Sequence, residues 1–308
     1  MESRQLRYFT AIFEHGSLSA ASANLNVATS ALSHHLSNLE QQLGTQLFVR
    51  RPRGLAATAA GARLYDHARA IVRAIDTAEQ DVRSESREIS GEVSLGMAHS
   101  GFRAIGLPLI ETMLRQYPKL KLSLSEGLSS ATLSHLLASQ IDLAVVYNPP
   151  TDRSLQLQPI LEETMVCVGR KELIGDDDVP ITFAELLELP MILLRQGLSA
   201  RALMDDLNLL KKLETRALLN MDSVQAIESS LRAGLGCTIG TRLVMRDDLE
   251  SGVLQARPIV NPKLTRTLFL CETADRQASF ALEAVRTLIL KLIREAVEGG
   301  RWPATLLD

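Results

Sequence analysis

A long amphipathic segment at residues 59–88 constrains the fold of this chain more than any other feature. Its apolar side chains recur at intervals of four, three, four, three and four residues, the heptad spacing of a helix that packs along one stripe. They belong to Leu64, Ala68, Ile71, Ile75, Ala78 and Val82. The other faces are densely charged, so a lone helix would leave this stripe exposed to water. We therefore expect a helix that pairs with a second copy of the chain; the alternative is that the stripe packs on the chain's own neighbouring domain.

Three shorter helical patterns precede this segment. The first spans residues 4–15, and Ser17 is the expected N-cap of a second helix over residues 18–24. A third pattern follows after a short turn and ends at Gly44. Such a tight connection between the second and third helices is typical of a helix-turn-helix.

The third helix has two unlike faces. Leucines recur at helical spacing on one side, whereas Ser30, Ser33 and His34 project from the other side near the N-terminal end. A helix that enters the DNA major groove, which is about 12 Å wide, needs a polar face of low bulk. The alternative is that these residues form the solvated side of an ordinary core helix.

A basic segment follows the three helices. Arg50, Arg51 and Arg53 surround Pro52, and a glycine comes next. Because Pro and Gly end regular helix, we expect a basic hairpin, or wing, whose arginines contact DNA phosphates. The net charge of the whole chain is −3, yet residues 1–58 hold five Arg against three acidic residues. A mildly basic head on an acidic body is typical of a DNA-contacting domain joined to a ligand-sensing or structural domain.

Strand and helix patterns alternate from residue 91 to the end of the chain. This alternation predicts an α/β body with a largely parallel sheet. A body of about 215 residues is large for one sheet, so we expect two lobes.

Several classes of protein are disfavoured by what the sequence contains. The three cysteines, at Cys167, Cys237 and Cys271, lie in apolar runs without a CxxC pair, which indicates buried reduced thiols. Neither a signal peptide nor an apolar run of about 18 residues is visible, so we expect a cytoplasmic protein without membrane contact. The sequence matches no motif for a catalytic nucleophile, a nucleotide or a metal, and we predict no enzyme activity, cofactor or metal site.

The first 61 residues resemble the N-terminal domain of the LysR-type transcriptional regulators. The resemblance rests on "LRYF", "GSLSAASANL", "SALSHHLSNLEQQLG", "LFVRRPRG" and "TAAG", which occur in the family's order. The long helix and the α/β body follow the family plan as well, so the resemblance covers nearly the whole chain. "YDHARAI" and "GEVSLGMA" are similar to the branch that contains the nitrogen assimilation control protein.

The resemblance implies a winged helix-turn-helix over residues 1–58, a dimerising linker helix over 59–88 and a regulatory domain over 89–308. It also implies DNA contacts from the third helix and the wing. The residues concerned are Thr29, Ser30, Ser33, His34, Arg50, Arg51 and Arg53. The family usually has Gln at the position of Thr29 and often Ser at that of Ala28, so we expect Thr29 to act as the cap instead. Because Gln can bind adenine through two hydrogen bonds and Thr cannot, the departure leaves the half-site sequence open.

The regulatory domain resembles the two-lobed periplasmic solute-binding proteins. The resemblance implies lobe one at about residues 92–162 and 266–308 and lobe two at about 163–265. It also implies a small, anionic effector held between the lobes at helix N-termini. The expected contacts are Ser100, Gly101, Ser129, Ser130 and Arg195. The alternative is that the serines are N-caps and the arginine is a surface group.

Together these features predict a transcriptional regulator that binds double-stranded promoter DNA as a homodimer or homotetramer. If it activates transcription, it also contacts RNA polymerase. Two alternatives remain open: a small-molecule-binding protein whose N-terminal domain is an interaction module, and a regulator that needs no co-inducer. An enzyme with an appended DNA-binding domain would need a reactive constellation that the sequence does not contain.

Overall fold

The structure, a computed structural model, describes residues 1–52, 54–83, 89–194, 207–274 and 279–307. The chain divides into two compact units. The N-terminal unit comprises Met1–Gly91 with Leu137–Gln140, and the C-terminal unit comprises Glu92–Leu136 with Ile141–Asp308.

The N-terminal unit contains three helices, a two-stranded hairpin and a long helix. They are α1 (Ser3–His15), α2 (Leu18–Leu25), α3 (Thr29–Leu43), β1 (Phe48–Arg51), β2 (Gly54–Ala57) and α4 (Ala59–Arg83). This order confirms the predicted winged helix-turn-helix followed by a long helix.

Local chemistry sets the ends of the first three helices. Ser17 caps α2, because its hydroxyl accepts a hydrogen bond from the Ala20 amide at 3.1 Å. Gly16 and Gly44 end α1 and α3 in the left-handed conformation. The expectation that Thr29 caps α3 is wrong: Thr29 is the first helical residue, and the N-cap position holds Ala28 without a side-chain hydrogen bond.

The wing is tied to the turn between α1 and α2. The Leu55 amide donates a hydrogen bond of 2.7 Å to the Gly16 carbonyl. Gly54 adopts a φ of +130°, and a Cβ there would lie 2.4 Å from the same carbonyl oxygen. Only glycine fits this close approach between the wing and the first turn.

The C-terminal unit contains two larger sheets. The first has six strands in the order β14-β6-β13-β5-β3-β4. Its strands and helices are β3 (Gly91–Ala98), α5 (His99–Gln116), β4 (Leu120–Gly127), α6 (Ser129–Leu137), β5 (Leu143–Tyr147), β6 (Leu155–Thr164), β13 (Thr265–Thr273), α12 (Phe280–Glu298) and β14 (Thr305–Leu306).

The second larger sheet has four strands in the order β11-β7-β12-β8, and a short parallel pair, β10-β9, accompanies it. The elements of this part are β7 (Val166–Gly169), α7 (Lys171–Ile174), β8 (Ile181–Thr182), α8 (Phe183–Leu186), β9 (Ile192–Leu194), α9 (Leu207–Arg216), β10 (Leu219–Met221), α10 (Val224–Arg232), β11 (Thr238–Gly240), α11 (Arg246–Glu250) and β12 (Gln255–Val260).

The sheets are mixed, which corrects the expectation of a largely parallel sheet. β3 and β5 are parallel, but β13 runs antiparallel to both β5 and β6. In the second sheet β7 is antiparallel to both of its neighbours. The chain passes from the first sheet to the second between β6 and β7 and returns between β12 and β13. The strands on either side of these passages form antiparallel pairs, β6 with β13 in the first sheet and β7 with β12 in the second.

The wing geometry makes a testable prediction. Gly54→Ala should lower the free energy of unfolding of the N-terminal unit by clearly more than Gly44→Ala. Both glycines have positive φ, which costs another residue about 1–2 kcal/mol. Only at Gly54 does the added Cβ also meet a backbone oxygen, since nothing lies within 4 Å of the Cβ position at Gly44. Amide hydrogen exchange of the N-terminal unit measures both variants, and equal losses would contradict the close approach.

Candidate nucleic-acid interface and buried polar cluster

One face of α3 is buried and the opposite face is free. Leu32 and Leu39 are fully buried in a core that includes Leu6 and Phe9 of α1. The residues predicted to contact DNA from this helix are all exposed: Thr29, Ser30, Ser33 and His34. All four side chains are therefore accessible to a partner. Their contact with DNA stays a prediction.

A hydrogen bond between side chains also lies on this surface. Asn38 Nδ2 is 3.1 Å from His34 Nε2, one helical turn away. The neighbouring His35 is half-buried and meets the ring of Tyr8 edge-on, with ring centroids 5.1 Å apart. His34 is thus the imidazole of this pair that faces outward. Sequence reasoning did not single out Asn38, although its spacing of four residues from His34 is a signal for such a contact.

Two of the three predicted wing arginines lie on the hairpin. Arg50 and Arg51 are exposed on β1, where they pair in register with Leu55 and Gly54 of β2. Arg53 lies outside the described residues. The two described arginines place positive charge on the hairpin that follows α3, as phosphate contacts require.

Glu40 connects α3 to this hairpin. Its Oε1 accepts hydrogen bonds from the backbone amides of Leu47 and Phe48, at 2.7 and 3.2 Å. A charged acceptor makes such bonds stronger than those between neutral groups. Glu40 therefore fixes where β1 begins relative to α3. Sequence reasoning missed this role because the contact spans an irregular turn.

The N-terminal half of the α4 stripe packs on the chain's own domain. Ala68 is fully buried in the winged-helix core, and Leu64 is half-buried against that core. Tyr65 stacks on Phe13 of α1 with ring centroids 3.9 Å apart, and burial, helped by its hydrogen bond to Glu14, raises the pKa of Tyr65 to about 12. The assignment of Ala68 to a dimer seam is wrong because it has no surface left for a partner. Leu64 packs against the same core.

The other described positions of the stripe keep accessible surface. Ile71 is 39% exposed, Ala78 is exposed and Ile75 is half-buried. The side chain of Val82 is not among those described. Dimerisation through this part of α4 stays a prediction.

Five segments of the C-terminal unit meet in a buried polar cluster at the start of α5. The cluster consists of Ser100 on α5, Tyr147 at the end of β5, Glu163 on β6, Arg266 on β13 and Trp302 after α12. Arg266 and Glu163 face each other in register across the two strands.

Hydrogen bonds connect all five side chains of this cluster, and Glu163 is the final acceptor. Arg266 donates from Nε and Nη2 to Oε2 of Glu163, at 2.9 and 2.7 Å, and from Nη2 to Ser100 Oγ at 3.1 Å. Ser100 donates to the Tyr147 hydroxyl at 2.9 Å, and Tyr147 donates to Glu163 at 3.0 Å. Trp302 Nε1 donates to the other carboxylate oxygen at 3.2 Å. Glu163 therefore accepts bonds from three residues.

The Arg266 guanidinium keeps its positive charge within the cluster despite burial. The Arg266 guanidinium lies 3.6 Å from the centroid of the Tyr147 ring, within cation–π range. Burial alone would lower the pKa of Arg266, but Glu163 and Tyr147 more than offset it, so the pKa is raised and the cation is kept. Burial raises the pKa of Tyr147 far above its ordinary value, although Arg266 acts against this shift. The phenol stays a hydrogen-bond donor.

The predicted effector residues fall partly in this region. Ser100 belongs to the cluster, and Gly101 is buried beside it. The Ser129 hydroxyl accepts a hydrogen bond from the Tyr147 amide at 3.1 Å. Ser130 is half-buried in the first turn of α6, and Arg195 lies outside the described residues. The alternative that Ser100 is an N-cap is wrong, because the N-cap of α5 is Ala98. Arg266, Glu163 and Trp302 were missed because they are distant in sequence from the serines.

Among the described residues, no group of His, Cys, Asp and Glu could hold a metal ion. None of the described helices combines the length and the apolar character that a membrane span requires. All three cysteines are buried and free, as predicted. Burial raises the pKa of Cys271 to about 12, so this thiol is not a ready nucleophile.

Both halves of the chain match known protein families. The model of the bacterial regulatory helix-turn-helix protein, lysR family, matches residues 3–62, and the LysR substrate binding domain matches residues 86–294. Among curated relatives, the nitrogen assimilation regulatory protein nac of Klebsiella aerogenes is 29% identical over 95% of each chain. The HTH-type transcriptional regulator YeiE of Escherichia coli K12 is 30% identical over 91% of this chain and 94% of its own.

Solved structures share the fold. A full-length OxyR variant from Pseudomonas aeruginosa superposes with a TM-score of 0.71 at 17% identity, covering 96% of this chain and 95% of that one. Full-length CbnR, solved in complex with its target DNA, superposes with a TM-score of 0.63 at 19% identity, covering 96% and 100%.

The accessible part of α4 yields a second prediction. Ile71→Asp combined with Ile75→Asp should halve the mass of the oligomer in sedimentation velocity, because two buried carboxylates on each side of a helix pair are costly. Arg63→Asp, which adds a carboxylate on the charged face of the same helix, is the control and should leave the mass unchanged. An unaltered profile for the double variant would show that this stripe does not join two chains.

Proposed function

Because the chain belongs to the LysR family of bacterial transcriptional regulators, we propose that it binds promoter DNA sequence-specifically through α3 and the wing. We further propose that a small molecule bound by the C-terminal unit controls this binding. The protein would act in the cytoplasm as a homodimer or homotetramer, with one winged helix per chain. As an activator it would also contact RNA polymerase.

The exposed face of α3 carries the first part of the proposal. Short side chains at Ser30 and Ser33 let a helix approach the base edges closely, and His34 adds a longer polar group. Thr29 lacks the amide that would bind adenine through two hydrogen bonds, but it can contact a thymine methyl or a phosphate. Arg50 and Arg51 supply charge that fixes register rather than sequence.

Two points support DNA as the partner rather than a protein. The family match over residues 3–62 is to a regulatory helix-turn-helix, and the CbnR structure of the same fold contains target DNA. The alternative, a small-molecule-binding protein with an N-terminal interaction module, would have no need for arginines beside a helix face of low bulk.

Binding to the upstream intergenic DNA of its own gene tests the DNA proposal. The logarithm of the affinity should fall linearly with the logarithm of the salt concentration, because phosphate contacts release counterions. His34→Ala should weaken binding to the specific site by about 1–3 kcal/mol while leaving binding to unrelated duplex unchanged. Affinity that ignores salt, or no binding to any promoter fragment, would favour the interaction module instead.

The second candidate is a regulator that needs no co-inducer. The buried polar cluster favours it, because Ser100 and Arg266 already find their hydrogen-bond partners within the chain. A ligand that used them would first have to displace Glu163 and Tyr147. Such a ligand could shift the conformational equilibrium of the protein only by binding one arrangement more strongly than another.

The fluorescence emission of Trp302 distinguishes a regulator that binds a co-inducer in this cluster from one that needs none. It is the chain's single tryptophan and it bonds Glu163, so its emission reports on the cluster. If a co-inducer binds here, a carboxylate-bearing metabolite from a thermal-shift screen should change the emission, and Ser100→Ala should weaken that response about two- to tenfold. If none is needed, extensively dialysed protein should regulate transcription in a purified system, and no metabolite should move the emission.

A further inference from the structure

Asn38 and His34 form a pair on the surface of α3 that is proposed to face DNA. The amide nitrogen Nδ2 of Asn38 lies 3.1 Å from Nε2 of His34, at the spacing of four residues that makes helical side chains neighbours. His34 is exposed and Asn38 is half-buried. The pair therefore has one member facing the surroundings and one that supports it.

The chemistry of the two groups fixes the position of a proton. In the orientation that the Asn38 amide has in this structure, its nitrogen faces Nε2 of His34; an amide nitrogen donates and cannot accept, so Nε2 is the acceptor in this orientation. In a neutral imidazole the other nitrogen then carries the proton. His34 thus presents Nδ1–H, a donor, on its remaining ring nitrogen.

We propose that Asn38 is a positioning residue that sets the tautomer of His34, and that His34 thereby reads the N7 acceptor of a purine in the major groove. The inference rests on the proposed function, since it assigns a base class to the same helix face. Both purines carry the N7 acceptor on their major-groove edge and thymine carries the O4 acceptor, whereas cytosine presents a donor there. A fixed Nδ1–H therefore selects against cytosine at one position of the half-site, and replacement of N7 separates a purine contact from a thymine contact.

The neighbouring groups are consistent with this assignment. His35 packs against Tyr8 and is turned toward the domain, so it does not compete for the same base. Thr29, Ser30 and Ser33 carry hydroxyls, which both donate and accept and so do not distinguish a donor from an acceptor. Among the described side chains of this face, His34 is the one whose role as donor or acceptor is set by a neighbouring residue, Asn38.

A two-step experiment with the full-length protein tests the inference. The binding site is first selected from a pool of random duplexes. Each purine of that site is then replaced in turn by its 7-deaza analogue, which has a C–H group in place of N7. One such replacement should weaken binding of the wild type about three- to tenfold, the loss expected for one hydrogen bond.

Variants then assign this sensitivity to the pair. His34→Ala should bind the deaza and the natural duplex equally well. Asn38→Ala should lose most of the discrimination because the tautomer is no longer fixed, and the double variant should behave as His34→Ala, since the two residues act as one unit. Gln42→Ala removes an exposed amide from the next turn of the helix and should discriminate like the wild type.

The outcomes separate the inference from the proposal beneath it. Failure to select any site would overturn the proposed function and this inference with it. A selected site with full deaza sensitivity in Asn38→Ala, or with equal losses on all duplexes in His34→Ala, would overturn the inference alone. The second result would assign His34 to a phosphate.

Discussion

Burial of Leu32 and Leu39 fixes the rotation of α3 about its own axis, and the rest of the N-terminal unit follows from that constraint. With these leucines in the core shared with α1, the short polar side chains of the opposite face can point only outward. Glu40 then holds the start of the wing through two backbone amides, and Gly54 lets the wing approach the turn at Gly16. The small number of charges on α3 is compatible with the proposed DNA contact, because Arg50 and Arg51 of the wing supply positive charge.

The C-terminal unit depends on a different kind of contact. Glu163 accepts hydrogen bonds from Arg266, Tyr147 and Trp302, and so joins β6 to β5, to β13 and to the segment after α12. Removing two charges from water offsets much of the attraction between them, so such a pair adds little stability by itself. It also ties the first turn of α5 to the sheet, because Ser100 bonds both Arg266 and Tyr147.

Local patterns in the sequence were enough to predict much of this fold. Helical spacing located α1 to α4, Ser17 was recognised as a cap, and Pro with Gly indicated the wing. The same periodicity cannot say what a stripe packs against, so it predicts a partner chain at Ala68, whereas Ala68 is buried in its own domain. Strand direction was also missed, because antiparallel pairs such as β13 with β6 join residues about a hundred positions apart. The Arg266–Glu163 pair escaped prediction for the same reason.

The proposed function requires α3 to enter the major groove of a specific DNA site. Dimethyl sulfate footprinting of the full-length protein on its selected site tests this directly, since the reagent methylates guanine N7 in the major groove and adenine N3 in the minor groove. With α3 in the major groove, guanine N7 should be protected in two patches about one helical turn, or a multiple of it, apart. Protection confined to adenine N3, with every guanine N7 left reactive, would contradict it.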